Sequence, residues 1–208
     1  MTSAPGSTSA PDPAPDPTPG PAPLLAAPSA VFLRRMTRWQ ADQWREELAD
    51  LSLAAYSPRG LTLFDHRPGF LVRLERHLLT SGFALVIAQN AEPAGCCYGV
   101  PACREGAWWE GFAGPLPHEL EMLTALGRVF EVAELMVLPE YRRAGLALRM
   151  LDMLLAETAA AVAVARVPHD DVVAREVWRA ARWTRLGRFR EAGGAPSDEV
   201  YVRRLRER

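Results

Sequence analysis

The sequence contains no lysine: all 24 of its basic residues are arginine. Arginine favours flat, two-point contacts with carboxylates and phosphates, but loss of lysine along a whole chain reads as coding bias and marks no function. Cysteine is nearly as scarce. Cys96, Cys97 and Cys103 are odd in number and form no CxxC pair, which argues against a disulfide scaffold or a zinc site and for a reducing compartment. His66, His77, His118 and His169 show no metal-ligand spacing, so no metal is expected. No apolar run reaches the roughly 18 residues that span a bilayer, and no basic stretch followed by an apolar one suggests a secretory signal. Charge of one sign is missing too. The 25 acidic residues leave a formal net charge of −1, without a global pull toward nucleic acid or an anionic membrane. A soluble, cytoplasmic protein is expected.

What is present suits one folded domain with a tail: 208 residues, 49% hydrophobic and 24% charged. Residues 1–29 are mostly Pro, Ala, Ser, Asp and Gly. They bury too little to offset the entropy of ordering, and a disordered tail is expected there. The domain, residues 30–208, reads as a mixed α/β series. A strand is expected at Val31–Met36. A helix follows from about Ala41 to Tyr56, with Trp44, Leu48, Leu51 and Ala55 at helical spacing and Pro58-Arg59-Gly60 closing it. The next helix runs from about Gly69 to Leu79, and strands follow at Phe83–Gln89 and Gly95–Ala102.

Residues 104–128 read as a long connection, with Pro115 and Pro117 as breakers. Phe130–Val137 is a strand, Leu146–Glu157 an amphipathic helix, and Ala160–Val167 a small-residue strand ended by Pro168. Asp170 or Asp171 caps a helix reaching about Arg182. Two antiparallel strands, Leu186–Phe189 and Glu199–Leu205, close the chain around Gly193-Gly194. Such an order predicts a mixed sheet with helices on both faces.

The chemistry concentrates in Phe130–Ala147: a strand, a turn with Pro139, an Arg/Gly loop and a helix. Uncapped N–H groups at a helix start, with the helix dipole behind them, form a site for phosphate. Gly145 admits close approach of an anion, Ala147 keeps the first turn small, and Arg142 and Arg143 add charge. The loop is neither a Walker loop nor a dinucleotide GxGxxG. Arg142-Arg143-Ala144-Gly145-Leu146-Ala147 resembles the pyrophosphate loop of the GNAT acetyltransferases, [QR]-x-x-G-x-[GA], and Glu134–Tyr141 is similar to the family's strand-to-loop lead-in.

The resemblance, weaker over 31–205, implies a GNAT-type, mostly antiparallel twisted sheet. It also implies acetyl-CoA as cosubstrate, with no metal. The loop through Leu148 would hold the diphosphate. Backbone groups of Leu135, Met136 and Val137 would pair with the pantetheine arm, on a strand splayed from its neighbour. Family members often carry an Asn and, seven residues on, a Tyr that protonates the thiolate; Asp171 and Trp178 stand there. Asp171 keeps an acceptor for the cosubstrate, whereas Trp178 cannot titrate. The family's closing Gly-Phe reads Arg182-Trp183.

The implied reaction is direct attack of a primary amine on the acetyl thioester, which needs a base. Glu134 is the candidate. In a regular strand it shares an apolar face with Phe130, Val132 and Met136, which would raise its pKa, while Glu131 lies opposite. A buried Glu paired with an arginine is the competing reading. Tyr141 or water is the candidate acid. Trp108, Trp109 and Glu110 would line the acceptor pocket, unless the aromatics pack on the sheet. Asp65 and His66 suit the surface, with a place facing the acceptor as the alternative; His77 reads as partly exposed. Arg175, Arg179, Arg182, Arg185, Arg188, Arg190, Arg203, Arg204 and Arg206 read as solvated or ion-paired, with a phosphate contact as the sharper alternative. The partner expected is a small-molecule or peptide amine, not nucleic acid or membrane; a homodimer stays open. A non-catalytic acyl-CoA-binding module is the rival function.

Overall fold

Val, Ile, Ala and Cys in short runs make the strands, and Leu at spacings of three and four makes the helices. The computed structural model describes Met1 and residues 31–56, 63–102, 108–109, 111–190 and 196–205, with the backbone alone at 63–66, 196 and 197. Seven strands are described: β1 (Phe32–Met36), β2 (Ala84–Gln89), β3 (Pro93–Pro101), β4 (Val129–Val137), β5 (Val162–Pro168), β6 (Thr184–Arg190) and β7 (Pro196–Arg204). They form one sheet in the order β1-β2-β3-β4-β5-β7-β6. Every pairing is antiparallel except β4 with β5.

Helices α1 (Arg38–Gln43), α2 (Arg45–Tyr56) and α3 (Leu63–Leu78) cover one face of β1–β4. α4 (His118–Ala125) and the Trp108 segment cover the β5–β7 part of that face. α5 (Leu146–Leu155) and α6 (Val172–Ala180) cover the other face. Alternation along the strands sorts the core accordingly: Phe130, Ala163 and Ala165 face α5, whereas Val129, Val162 and Val164 face away. Cys96 and Cys97 fall on opposite faces as alternation requires, but both are fully buried because both faces are covered.

Several expectations need correction. The single helix expected before Tyr56 is two. Thr37 and Gln40 form a reciprocal capping box that starts α1 at Arg38, and Trp44 ends it. α3 starts at Leu63 and carries Pro68 inside it, a residue that ordinarily ends a helix. Arg67 beside it bonds Asp50 and Glu46 of α2 at 3.0 and 2.7 Å. The 104–128 connection holds a helix, because Pro117 opens α4 at its N-cap instead of breaking the chain. His77 is buried, and burial lowers its pKa to about 4, with Arg76 and Arg73 adding repulsion. The tail, Pro58-Arg59-Gly60, Cys103, Glu110, Gly193-Gly194 and Arg206 lie outside the described residues, as do the side chains of Asp65 and His66.

The end of α6 shows what replaces the expected Gly-Phe. The Arg182 N–H bonds the Arg179 carbonyl and the Trp183 N–H bonds the Trp178 carbonyl, while Trp183 packs edge-on against Trp178 at 4.7 Å. This is a Schellman ending with its apolar contact. It requires a left-handed residue, and Arg182 takes it at φ 61. Its side chain is exposed. Arg182→Gly should therefore raise stability by about 1 kcal/mol by removing the Cβ penalty. A urea midpoint that stays put or falls would contradict this account of the turn.

Candidate functional site

β4 and β5 pair only over Val129–Val132 against Val162–Ala165. β4 then runs on to Val137 and β5 to Pro168, so a wedge opens between them. On its far side β4 stays paired with β3 as far as Val137 against Gly95. Along the wedge, alternate β4 residues turn their N–H and C=O groups toward the gap, like the edge of an unfinished sheet.

Where the pairing ends, β4 carries a bulge. Tyr98 pairs with Glu134 and Gly99 with Val132, leaving Ala133 as the extra residue. Gly99 permits it: a Cβ there would sit 2.1 Å from the Glu131 carbonyl oxygen and 2.5 Å from the Phe130 ring. The bulge corrects the expected face of Glu134. Phe130 and Val132 face α5, and beyond the bulge Leu135 and Val137 take over that side. Glu134 instead lies with Met136 on the α2–α3 side, where Glu131 also falls.

Glu134 is 12% exposed in its side chain. Its Oε1 accepts from Arg73 Nη2 at 3.1 Å and its Oε2 from the Tyr56 hydroxyl at 3.3 Å. Burial raises its pKa above the ordinary value, and the Arg73 charge and the two hydrogen bonds hold the rise back. Glu134 is therefore buried, with its pKa raised by that burial, and paired with an arginine. Glu131 is raised by burial as well, opposed by Arg166, the Trp108 indole and Arg76.

After β4, a single 3-10 turn at Pro139–Tyr141 leads into the loop. Arg143 and Gly145 both take left-handed backbone, at φ 63 and 71, the kind of conformation from which anion-binding backbone concavities are built. α5 then starts at Leu146 with no side-chain cap and no acidic residue in its first turn. A Cβ built on Gly145 meets nothing within 4 Å, so the space before these amides is open. Leu146 is buried, Ala147 and Leu148 are half-buried, and Arg143, Ala144 and Gly145 are exposed. A helix start of this kind attracts an anion through its free N–H groups and its dipole.

Arg142 has a different position from the one expected. Its Nε donates to the Val137 carbonyl at 3.1 Å and its Nη2 to the Ala55 carbonyl at 2.6 Å. It ties the loop to the end of α2, and it occupies one of the strand carbonyls expected to be free. Tyr141 packs on the α5 side and its hydroxyl accepts from Asn90 Nδ2 at 3.0 Å, on the opposite face from Glu134. Asp171 caps α6, accepting from the Ala174 N–H at 2.9 Å. Trp178 is buried at the root of α6.

The aromatics expected to wall a pocket are packed instead. Trp108 is 7% exposed and meets Trp109 and Phe189 edge-on at 4.2 and 5.7 Å. Trp109 donates to Thr124 at 3.1 Å. Arg166 lies 3.7 Å over Phe189 and donates to the Trp108 carbonyl. The group rests on β5–β7, and the Trp108 indole and Arg166 bear on Glu131 within the β4–β5 ladder. Of the arginine run, Arg185 pairs with Glu199, Arg203 with Asp152 and Arg204 with Glu119.

No protein-family model matches the sequence, and no curated protein sequence does. Solved structures do match. An acetyltransferase of the GNAT family from Staphylococcus aureus Mu50 superposes with a TM-score of 0.60 at 14% identity, covering 85% of this chain and 100% of that one. The chain has the GNAT acetyltransferase fold. The PaiA N-acetyltransferase from Thermoplasma acidophilum, solved with coenzyme A, gives 0.56 at 10% identity, covering 85% of this chain and 99% of that one. AAC(6')-Iy, solved with a bisubstrate analogue joining CoA to acetylneamine, gives 0.54 at 15% identity, with 80% and 99% covered. In this GNAT fold the Glu134 site and the Gly145 loop lie at opposite ends of the free β4 stretch. Among the described residues no helix is long and apolar enough to cross a membrane, and no cluster of His, Cys, Asp and Glu could hold a metal ion. Sequence reasoning missed Tyr56 and Arg73. The available signal was the place of Arg73 three residues after Phe70, on the flank of a buried helical stripe.

Proposed function

We propose that the protein transfers an acetyl group from acetyl-CoA to a primary amine by direct attack. The observation that carries this reading is the uncapped, open start of α5 at the end of a splayed strand. The residues fit a diphosphate-bearing thioester: amides of Arg143–Leu148 for the phosphates, and the β4 edge at Leu135–Val137, its Val137 carbonyl already held by Arg142, for an amide-bearing arm, which would join as an added strand. Neighbours of the same fold solved with coenzyme A support the assignment. Acetyl-CoA supplies the activated acyl group.

This chain's part is to orient and to move protons. Glu134 takes the proton of the incoming ammonium, its raised pKa making it a stronger base than an exposed carboxylate. Before an acceptor binds, Tyr56 and Arg73 hold its carboxylate in one orientation. Backbone N–H groups on the wedge meet the charge that develops on the carbonyl oxygen. The departing thiolate takes a proton from water or from Tyr141. One observation favours a second reading, a non-catalytic acyl-CoA-binding module: Trp178, in the place of the family phenol, is buried against Trp183.

Calorimetric titration with acetyl-CoA, followed by thiol release with a panel of amines, tests both. Binding with release for one amine class is the expected result. Binding without release from any amine supports the module instead, and absence of binding removes the loop assignment itself.

A further inference from the structure

The environment of Glu134 constrains what can approach it. Both its oxygens are occupied, one by Arg73 and one by Tyr56. An ammonium that comes to this carboxylate must displace a partner or crowd in beside one. Arg73 is the partner able to leave, because its side chain is 43% exposed and sits on the flank of α3. One turn further along the same flank stands Arg76, exposed, with no acidic partner within ion-pair distance among the described residues. It bears electrostatically on Glu131 and on Arg166, so the two arginines look across the same face of β4 and β5.

A plain amine or a polyamine arriving here sets its positive charge against Arg73 and Arg76, and no other carboxylate among the described residues is in ion-pair contact with the guanidinium it displaces. An acceptor with its own carboxylate avoids this. The pair Arg73–Glu134 is exchanged for two pairs, ammonium with Glu134 and substrate carboxylate with Arg73 and Arg76. No half-buried charge is left alone, the condition under which ion pairs in such sites are not costly. The exchange also serves a base at Glu134: the Arg73 charge now holding its pKa down is partly neutralised by the substrate. Planar guanidinium forks suit a carboxylate, which they can grip at two points.

We propose that the acceptor is an amino acid, its ammonium facing Glu134 and its carboxylate received by Arg73 and Arg76 of α3. This rests on the transferase reading above.

The test uses the full chain and acetyl-CoA, with thiol release measured for the common amino acids, the methyl ester of each, and spermidine. Calorimetry first establishes acetyl-CoA binding, so that loss of the transferase reading shows separately from loss of this one. At least one free amino acid should be turned over with KM about tenfold or more below that of its ester, the size expected for one charge-assisted contact. Arg76→Gln should raise KM for that amino acid about tenfold with kcat nearly unchanged, leave the ester's KM where it was, and be rescued in part by Arg76→Lys. Arg76 is exposed, so these variants should fold. Esters or spermidine used as well as free amino acids would overturn the proposal. So would an Arg76→Gln effect equal on acid and ester, or acetyl-CoA binding with no free amino acid turned over.

Discussion

Gly145→Glu should abolish acetyl-CoA binding in a protein that still folds. Gly145 has φ 71, so any Cβ there is strained by roughly 1–2 kcal/mol. That cost is borne at an exposed loop where the new Cβ meets no neighbouring atom within 4 Å, and a domain of ordinary stability survives it. The carboxylate would lie before the first amides of α5, where it satisfies the free N–H groups and repels a diphosphate. Gly145→Ala separates the two effects, since it carries the strain without the charge and should weaken binding only modestly. Calorimetry with acetyl-CoA beside a thermal melt reads both. Unchanged affinity in the Glu variant would mean that the phosphates bind elsewhere.

Glu134→Gln should lower kcat by about 10²–10⁴, the usual contribution of a positioned base, and leave acetyl-CoA affinity nearly intact. The pH dependence supplies an independent check. Burial lifts Glu134 above the ordinary carboxylate value, and a base works only when deprotonated. The wild-type rate should therefore rise with pH through a pKa above the usual range for Glu, and the Gln variant should lack that limb. A variant that keeps full activity, or a limb that persists in it, would show that Glu134 is not the base.

The parts of this site that were legible in the sequence are those whose geometry is local. A strand, a turn, a glycine loop and an amphipathic helix can each be read from spacing within Phe130–Leu155, and each is present within a residue or two of its expected bounds. The face of Glu134 was not legible, because it depends on a bulge set by the partner strand. Nothing in β4 marks Ala133 as the extra residue, and the need appears only when Gly99 comes to lie against the Glu131 carbonyl. Tyr56 and Arg73 reach Glu134 across 78 and 61 residues of chain, through the packing of α2 and α3 on the sheet. Local periodicity places them on helices and gives no information about what those helices face.

Proline misled at Pro117, expected as a breaker, which begins a helix; Pro68 lies inside another, although proline ordinarily ends one. The arginines show the same limit. Arg142 matches the loop pattern by type, yet its guanidinium is committed to two backbone carbonyls. Residue type and spacing indicated where a cation belongs, and only the tertiary structure shows which atoms it satisfies.

The interruption between β4 and β5 has a mechanical side. Four residues of each strand, Val129–Val132 and Val162–Ala165, form the only described ladder between the β1–β4 half of the sheet and the β5–β7–β6 half. A short ladder beside a gap acts as a hinge, and α5 and α6 both bury their apolar faces on one side of the sheet beside it. A molecule lying along the gap would splint the two halves. The domain should then be stiffest when loaded, and the amides of Val162–Ala165 would exchange with solvent more slowly once the gap is filled.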